Sequence, residues 1–500
     1  MGVLLMRSPL RLLGFDFGAS NGRAMLGAFD GKKLSITEAH RFSNDPVWVR
    51  DTLHWDVLRL LHEMRQGIAR TVQMGVTPAS IGIDTWGVDF GLLDRDGCLI
   101  ANPVHYRDAR TEKMMDVAFQ TLSRKEIFYH TGLAFMPFNS LYQLLAIQKK
   151  QPALLDHAKT FLFMPDLLAY FCTGEMGTEY TIASTSQLTD PRNRDWSAEL
   201  INAFHLPQPL FTKIHEPGTI RGALSASIRN ELGLSRDVPV VAGAQHDTAA
   251  AVAAVPARGK GFAYISSGTW SLLGVETGAP VVSSGVMDAN YTNEGGVCGT
   301  TRVLKNIMGM WILQECRRNW WLSGVCEGYE ELNALAQKEK PFRSLFDPDD
   351  SRFLPQGDMP ENIRAYCAET NQPAPETHGQ FARAIYESLA LKYRWAVRRL
   401  ERDILGHEIE CLHIVGGGSK NALLNQMAAN AVGKPVLAGP GEATVIGNLL
   451  TQAMALSEID SLSALRDIVR ASFETVEYLP ENADQWQEAY GRFLRITGLD

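Results

Sequence analysis

The sequence lacks the signatures of several large functional classes. Its seven cysteines stand singly, with no Cys-x-x-Cys pair, which excludes a zinc ribbon or a disulfide framework and points to a reducing compartment, taken as the cytoplasm. It has no long basic run, and its formal net charge is -8, so it offers nucleic acid no electrostatic footprint. Residues 1–13 are apolar in patches, but Arg7, Pro9 and Arg11 interrupt them. They read as neither signal peptide nor membrane span, and no membrane partner is expected. Met6 occupies the position where a myristoylation signal needs Ser or Thr. No Gly-x-x-x-x-Gly-Lys-Ser/Thr loop occurs, so phosphate chemistry would need another scaffold. His105 and the other histidines show no metal-ligand spacing and read as structural.

What is present is a chain of 500 residues, 45% hydrophobic and 21% charged, with enough apolar surface for a large core divided among two to four domains. A glycine-containing turn between two strand-like runs occurs twice. The first joins Leu12-Leu13-Gly14-Phe15-Asp16-Phe17 through Gly18-Ala19-Ser20-Asn21-Gly22-Arg23 to Ala24-Met25-Leu26. The second joins Phe262-Ala263-Tyr264-Ile265 through Ser266-Ser267-Gly268-Thr269-Trp270 to Ser271-Leu272-Leu273-Gly274-Val275. Such turns offer successive N–H groups and hydroxyls to an anion. Their repetition predicts a duplicated fold that closes on a polyphosphate from both sides.

The pattern predicts a three-stranded meander over 11–45, with a hairpin turn at Asp30-Gly31, and an amphipathic helix over 56–74. A buried strand over 80–84 and a hairpin partner over 88–93 follow. Residues 115–235 read as mostly helical. A strand at 237–242 runs into Gly243-Ala244-Gln245-His246-Asp247-Thr248 and a small-residue helix. In the second half, strands are expected over 262–275, 411–415 and 435–438. Helices are expected over 379–405, 421–432 and 465–496, the last broken at Pro480. The boundary between halves falls near 256–260.

Asp16 ends a strand before a glycine-containing turn, where a buried carboxylate needs a partner such as metal-bound water or backbone donors; capping of its own turn is the structural alternative. Arg23 has the geometry to clamp a phosphate or to form an ion pair. Asp247 sits at a strand end, where ligands collect in α/β folds, and has the chemistry to accept a proton from an attacking hydroxyl; it also suits a helix N-cap. Gly416-Gly417-Gly418, between strand and helix, permits close approach of a ligand or makes a tight turn. Trp86-Gly87 could face a sugar or belong to the core. Asn290, Asn293, Glu294 and Asn306 are polar residues among apolar ones that could read hydroxyls.

Taken in order, these pieces resemble the FGGY carbohydrate kinases of the actin-like, ribonuclease-H-like superfamily. The resemblance rests on residues 16–23, 82–90, 164–166, 246–248, 266–272, 293–296, 303–309 and 413–418. It implies an α/β fold of two ribonuclease-H-like (actin-like ATPase) domains with a central cleft. Residues 1–255 would carry the sugar site and the catalytic base, and residues 256–500 most of the nucleotide site. It further implies ATP and Mg2+ as cofactors and a small ketose as substrate, in a monomer or small homo-oligomer. Asp247 would be the base, with Gly87, His246, Thr248 and Asn306 beside the sugar and Trp86 or Phe138 as an apolar wall. Ala19, Ser20, Asn21, Gly22, Arg23, Thr269, Gln314 and Gly417 would face ATP, and Asp16 would meet the metal through water. Ser140 and Gln143 stand where the general signature has Lys and Trp, which favours the branch acting on L-rhamnulose at its C1 hydroxyl. L-Fuculose, L-ribulose and L-xylulose remain alternative acceptors, and an actin-like ATPase switch is the alternative from another class.

Overall fold

The computed structural model describes residues 8–499; the first seven residues of the apolar N-terminal stretch lie outside the described residues. The chain forms two compact units. The first holds the residues up to Pro256 together with Glu276–Val303 and Ala443–Ser472. The second holds Ala257–Val275, Leu304–Glu442 and the residues from Phe473 onward. A single cut at 255/256 therefore does not describe the units, because two later segments return to the first. Packing explains their return. Gly447, on helix Ala443–Ala455, lies so close to helix Asp247–Ala253 that an added Cβ would strike the Ala250 carbonyl. Arg466, on helix Leu462–Ser472, donates to the Val252 carbonyl and pairs with Glu276.

The first unit is built on a six-stranded sheet of β1 (Leu10–Phe17), β2 (Asn21–Phe29), β3 (Leu34–Ser43), β4 (Ser80–Thr85), β5 (Thr219–Ala223) and β6 (Pro239–Ala242), in the order β5-β6-β4-β1-β2-β3. β1 to β3 form the expected antiparallel meander, with Asp30 Oδ1 accepting from the amides of Lys32 and Lys33 at the turn between β2 and β3. β4 lies parallel to β1, and β6 parallel to β4. All six residues of β4 are buried, as a parallel strand covered on both faces requires. One cover is helix Val57–Gln73, which buries Val57, Leu60, Met64 and Ile68 and is capped by Asp56. The other is helix Ala443–Ala455, whose Asn448 and Gln452 fill the space above Gly14 and Gly82.

Two expectations need correction. The run 88–93 is not a hairpin partner of β4. Val88 adopts a left-handed φ of 69° and turns the chain away, so Phe90–Leu93 pairs antiparallel with Thr160–Phe163. Residues 115–235 include helices Ser140–Lys150 and Met164–Thr173, but also Thr160–Phe163, β5 and two-residue strand pairs. Segments that short cannot display an alternating pattern.

In the second unit the strands β7 (Phe262–Ser267), β8 (Trp270–Thr277), β9 (Thr301–Met308), β10 (Cys411–Val415), β11 (Val436–Ala438) and β12 (Val476–Tyr478) are ordered β9-β8-β7-β10-β11-β12. β7 pairs antiparallel with β8 and parallel with β10, repeating the arrangement of β1 with β2 and β4. Helix His378–Leu400 is the longest in the chain. Near the C-terminus, β12 separates helices Leu462–Ser472 and Ala483–Thr497, where a helical stretch broken only at Pro480 was expected.

Gly447→Ala is expected to destabilise the chain by about 1–3 kcal/mol, because the obstruction is backbone and cannot rotate away. Gly278→Ala, where an added Cβ meets nothing within 4 Å, should change stability by less than about 0.5 kcal/mol. Urea denaturation of both variants checks the contrast.

Candidate active site

The parallel strands of the first unit bring acidic residues to one edge. Asp16 and Asp84 are register partners at the carboxyl ends of β1 and β4. Thr85 then bridges to His246 and donates its amide to the Gln245 carbonyl at 2.9 Å, so the turn 86–88 lies beside His246 and Asp247. Strand carboxyl ends are where ligands bind in open α/β sheets.

Asp247 starts helix Asp247–Ala253, and its side chain is 35% exposed. Its Oδ1 accepts from the Thr248 amide and from Thr248 Oγ1 at 3.0 Å, and His246 Nε2 lies 3.4 Å away. Oδ2 makes no hydrogen bond among the described residues. His246 is buried; its Nδ1 lies 3.1 Å from the Arg302 guanidinium, and its Nε2 faces Asp247. Glu294 pairs with Arg302 at 3.1 Å and with His246 at 3.3 Å. Burial pushes the Glu294 carboxyl up, but the Arg302 and His246 charges hold it below its ordinary value.

Asp84 was present in the sequence motif but not singled out. It is fully buried; Asn448 Nδ2 donates to Oδ2 at 2.5 Å, and Oδ1 has no hydrogen-bond partner among the described residues. Burial, followed by the charge of Asp16, pushes its carboxyl well above the ordinary value. A carboxylate near the end of a fully buried strand was the available signal. Asp16 pairs with Arg23 at 2.6 Å, and both are largely buried. The turn between them is held by the Gly18 amide donating to the Asn21 carbonyl at 2.9 Å, and by Asn44 donating to the Gly18 and Ser20 carbonyls. Gly22 faces the Phe42 ring with no room for a Cβ. Ala19 is half-buried, whereas Ser20 and Asn21 are exposed.

Trp86 is 6% exposed, its ring 4.0 Å from that of Trp55, so most of it is core rather than an open face. Gly87 lies against Thr185. Asp89 is fully buried and accepts from both indoles; burial pushes its carboxyl up to about 6.

In the second unit, Thr269 and Gln314 come together at 3.5 Å, and the Gly268 and Thr269 carbonyls accept from the amides of Met310 and Trp311. Gly416 has φ 83°, and Gly418 lies under Ser267, so both positions require glycine. A Cβ added at Gly417, which is exposed, would meet nothing within 4 Å. Asn306 is half-buried on β9 and, as Leu304–Glu442 are counted, belongs to this unit; Gly87, His246, Asp247 and Thr248 belong to the first. Among the described residues no group of three or more His, Cys, Asp or Glu could hold a metal.

Residues 11–253 match the N-terminal domain of the FGGY family of carbohydrate kinases, and residues 263–456 match its C-terminal domain. The chain belongs to this family. It is 45% identical over 478 residues to a rhamnulokinase of Bacteroides thetaiotaomicron, covering 96% of this chain and 97% of that one. It is 41% identical to a rhamnulokinase of Oceanobacillus iheyensis, covering 93% and 97%. Among solved structures it resembles a ligand-bound xylulose kinase from Lactobacillus acidophilus, with TM-score 0.81, 16% identity and 97% of each chain covered. It also resembles Plasmodium falciparum glycerol kinase with ADP, with TM-score 0.78, 15% identity and 99% of each chain covered. The fold is thus α/β, with two actin-like, ribonuclease-H-like FGGY domains.

The raised Asp89 carboxyl has a measurable consequence. Between 3.8 and about 6 the folded chain holds a proton that the unfolded chain has released. The stabilisation is therefore complete below about pH 4 and is lost as pH rises through 6, a change of about 3 kcal/mol relative to Asp89→Asn. Urea titrations of both proteins at about pH 5 and about pH 7.5 should capture roughly half of it, about 1–2 kcal/mol, because the loss has already begun at pH 5; a difference independent of pH would contradict the assignment.

Proposed function

We propose that the chain transfers the terminal phosphoryl group of ATP to the C1 hydroxyl of L-rhamnulose, giving L-rhamnulose 1-phosphate and ADP. The observation that carries the reaction type is Asp247: a partly exposed carboxylate with Oδ1 fixed by Thr248 and His246 and Oδ2 left to accept a proton. The choice of sugar is supported by the near full-length likeness to the rhamnulokinases.

In this reading Asp247 orients the sugar hydroxyl and takes its proton as the phosphoryl group is transferred, a role that is as much positioning as deprotonation. His246 and Thr248 hold that carboxylate in one orientation. Gly87 and Asn306 bind the sugar, and Trp86 supports the wall beside it. On the nucleotide side, the turn of Ala19, Ser20, Asn21 and Gly22 offers backbone donors, and Arg23 offers a guanidinium suited to phosphate. Thr269, Gln314 and the open Gly417 complete the ATP set.

Mg2+ suits the donor chemistry here. It keeps most of its waters and binds through one or two carboxylates plus phosphates, and Asp16, at the mouth of the turn 18–23, is the carboxylate assigned to it. When bound, the ion neutralises charge on the phosphates. Arg23 now neutralises Asp16, so we expect that pair to be redistributed when ATP binds. The seven free cysteines agree with a cytoplasmic reaction. Among the described residues no helix is long and apolar enough to cross a membrane.

A coupled ADP-release assay with L-rhamnulose, L-fuculose, L-ribulose, L-xylulose and a glycerol control should show a clear preference for L-rhamnulose. ADP release indifferent to every sugar would instead favour an ATPase switch. Asp247→Asn should retain ATP binding and fold but lose roughly 10²–10⁴-fold in sugar phosphorylation; near-normal turnover would remove Asp247 from the role of base.

A further inference from the structure

The turn 86–88, beside His246 and Asp247, is held in a conformation that its own sequence does not favour. Val88 has φ 69°, which for a β-branched residue persists only when the surroundings impose it. Its amide donates to Thr185 Oγ1 at 3.0 Å, and its carbonyl accepts from Ser140 Oγ at 2.6 Å. Gly87 has Thr185 atoms 3.1 Å from where a Cβ would lie.

Next in the chain is Asp89. One of its oxygens accepts from Trp55 Nε1 at 2.6 Å, Trp86 Nε1 at 2.9 Å and the Tyr106 amide at 3.1 Å. The other accepts from Gln143 Nε2 at 2.9 Å, and Gln143 Oε1 in turn accepts from Arg110 at 2.6 Å. A single buried carboxylate thereby fixes four separate segments. The rings are ordered with it: Trp55 lies 4.0 Å from Trp86 and 4.1 Å from His105, and Tyr106 meets Phe138 edge-on at 5.6 Å. Burial pushes the Tyr106 hydroxyl above its ordinary value, the Arg107 charge and hydrogen bond oppose this, and the charges of Asp89 and Asp247 add to the rise.

A buried carboxylate is a costly way to join apolar segments, and well-packed apolar residues often serve stability as well. What the carboxylate supplies is direction: both indoles and the Tyr106 backbone are aimed by one acceptor.

We propose that Asp89 is a positioning residue that sets the turn 86–88 and the Tyr106–Phe138 ring pair, and through them the choice of ketose. The proposal rests on the ketose-kinase reading above. Its chemical content is selection at the end of the sugar remote from the phosphorylated carbon, where L-rhamnulose carries a methyl group and L-fructose a hydroxymethyl group.

The test compares wild type, Asp89→Asn and the milder Ser140→Ala. For each, kcat and KM are measured with L-rhamnulose, L-fructose and ATP, and the circular dichroism couplet of the two tilted indoles is recorded. Both variants should raise KM for L-rhamnulose roughly tenfold and reduce its preference over L-fructose several-fold, with KM for ATP within about twofold of wild type. The indole couplet should collapse in Asp89→Asn. An unchanged sugar preference, with kcat and both KM values altered together, would reduce Asp89 to a structural role and overturn the proposal. If wild type phosphorylates no ketose, the functional reading itself falls, and the couplet decides the positioning alone: its loss in Asp89→Asn supports it, and its persistence overturns it.

Discussion

The first unit depends on keeping acidic groups close together at the carboxyl ends of parallel strands. Asp16 and Asp84 are register partners, and Asp84 also senses the charge of Asp247. Such a cluster is unfavourable unless its charges are shared out. The structure does this unequally. Asp16 is paired with Arg23, Asp247 has an exposed edge, and Asp84 is wholly buried on Asn448 with its carboxyl raised. A site arranged in this way suits a reaction that brings further negative charge, with its own counter-ion, to an acceptor hydroxyl.

The same constraint explains why helix Ala443–Ala455 belongs with residues far from it in sequence. Asn448 reaches Asp84, and Gln452 links Ser80, the Leu13 carbonyl and Asn448. These amides can approach only because Gly14 and Gly82 leave the sheet surface open, and because Gly447 lets the helix touch Ala250. The glycines of β1 and β4 thus bring polar side chains to the carboxylates through an otherwise apolar layer.

Local chemistry made much of this legible. Asp30-Gly31 announced its hairpin, the run of β4 announced a buried strand, and the two turns at 18–23 and 266–270 announced the duplication. Gly416 and Gly418 proved to be required by their contact with Ser267. What was hidden depends on partners remote in sequence. Nothing near residue 443 signals return to the first unit, since the reason lies at Ala250 and Asp84. Asp89 gave no local signal because its donors come from Trp55, Tyr106 and Gln143 as well as nearby Trp86. Ser140 and Gln143 were visible as departures from the general FGGY signature, but their contacts with Val88 and Asp89 were not. Trp86 read equally as a face for a sugar or as core, because sequence does not reveal that Trp55 covers it.

The central claim is that phosphate passes from ATP to a sugar hydroxyl oriented by Asp247. Phosphorus–proton correlation spectroscopy of the product formed from L-rhamnulose and magnesium ATP tests it most directly. The account predicts one phosphate ester, coupled to the methylene protons of C1, formed in equal amount with ADP. Inorganic phosphate without a sugar ester, or an ester at another carbon, would contradict it.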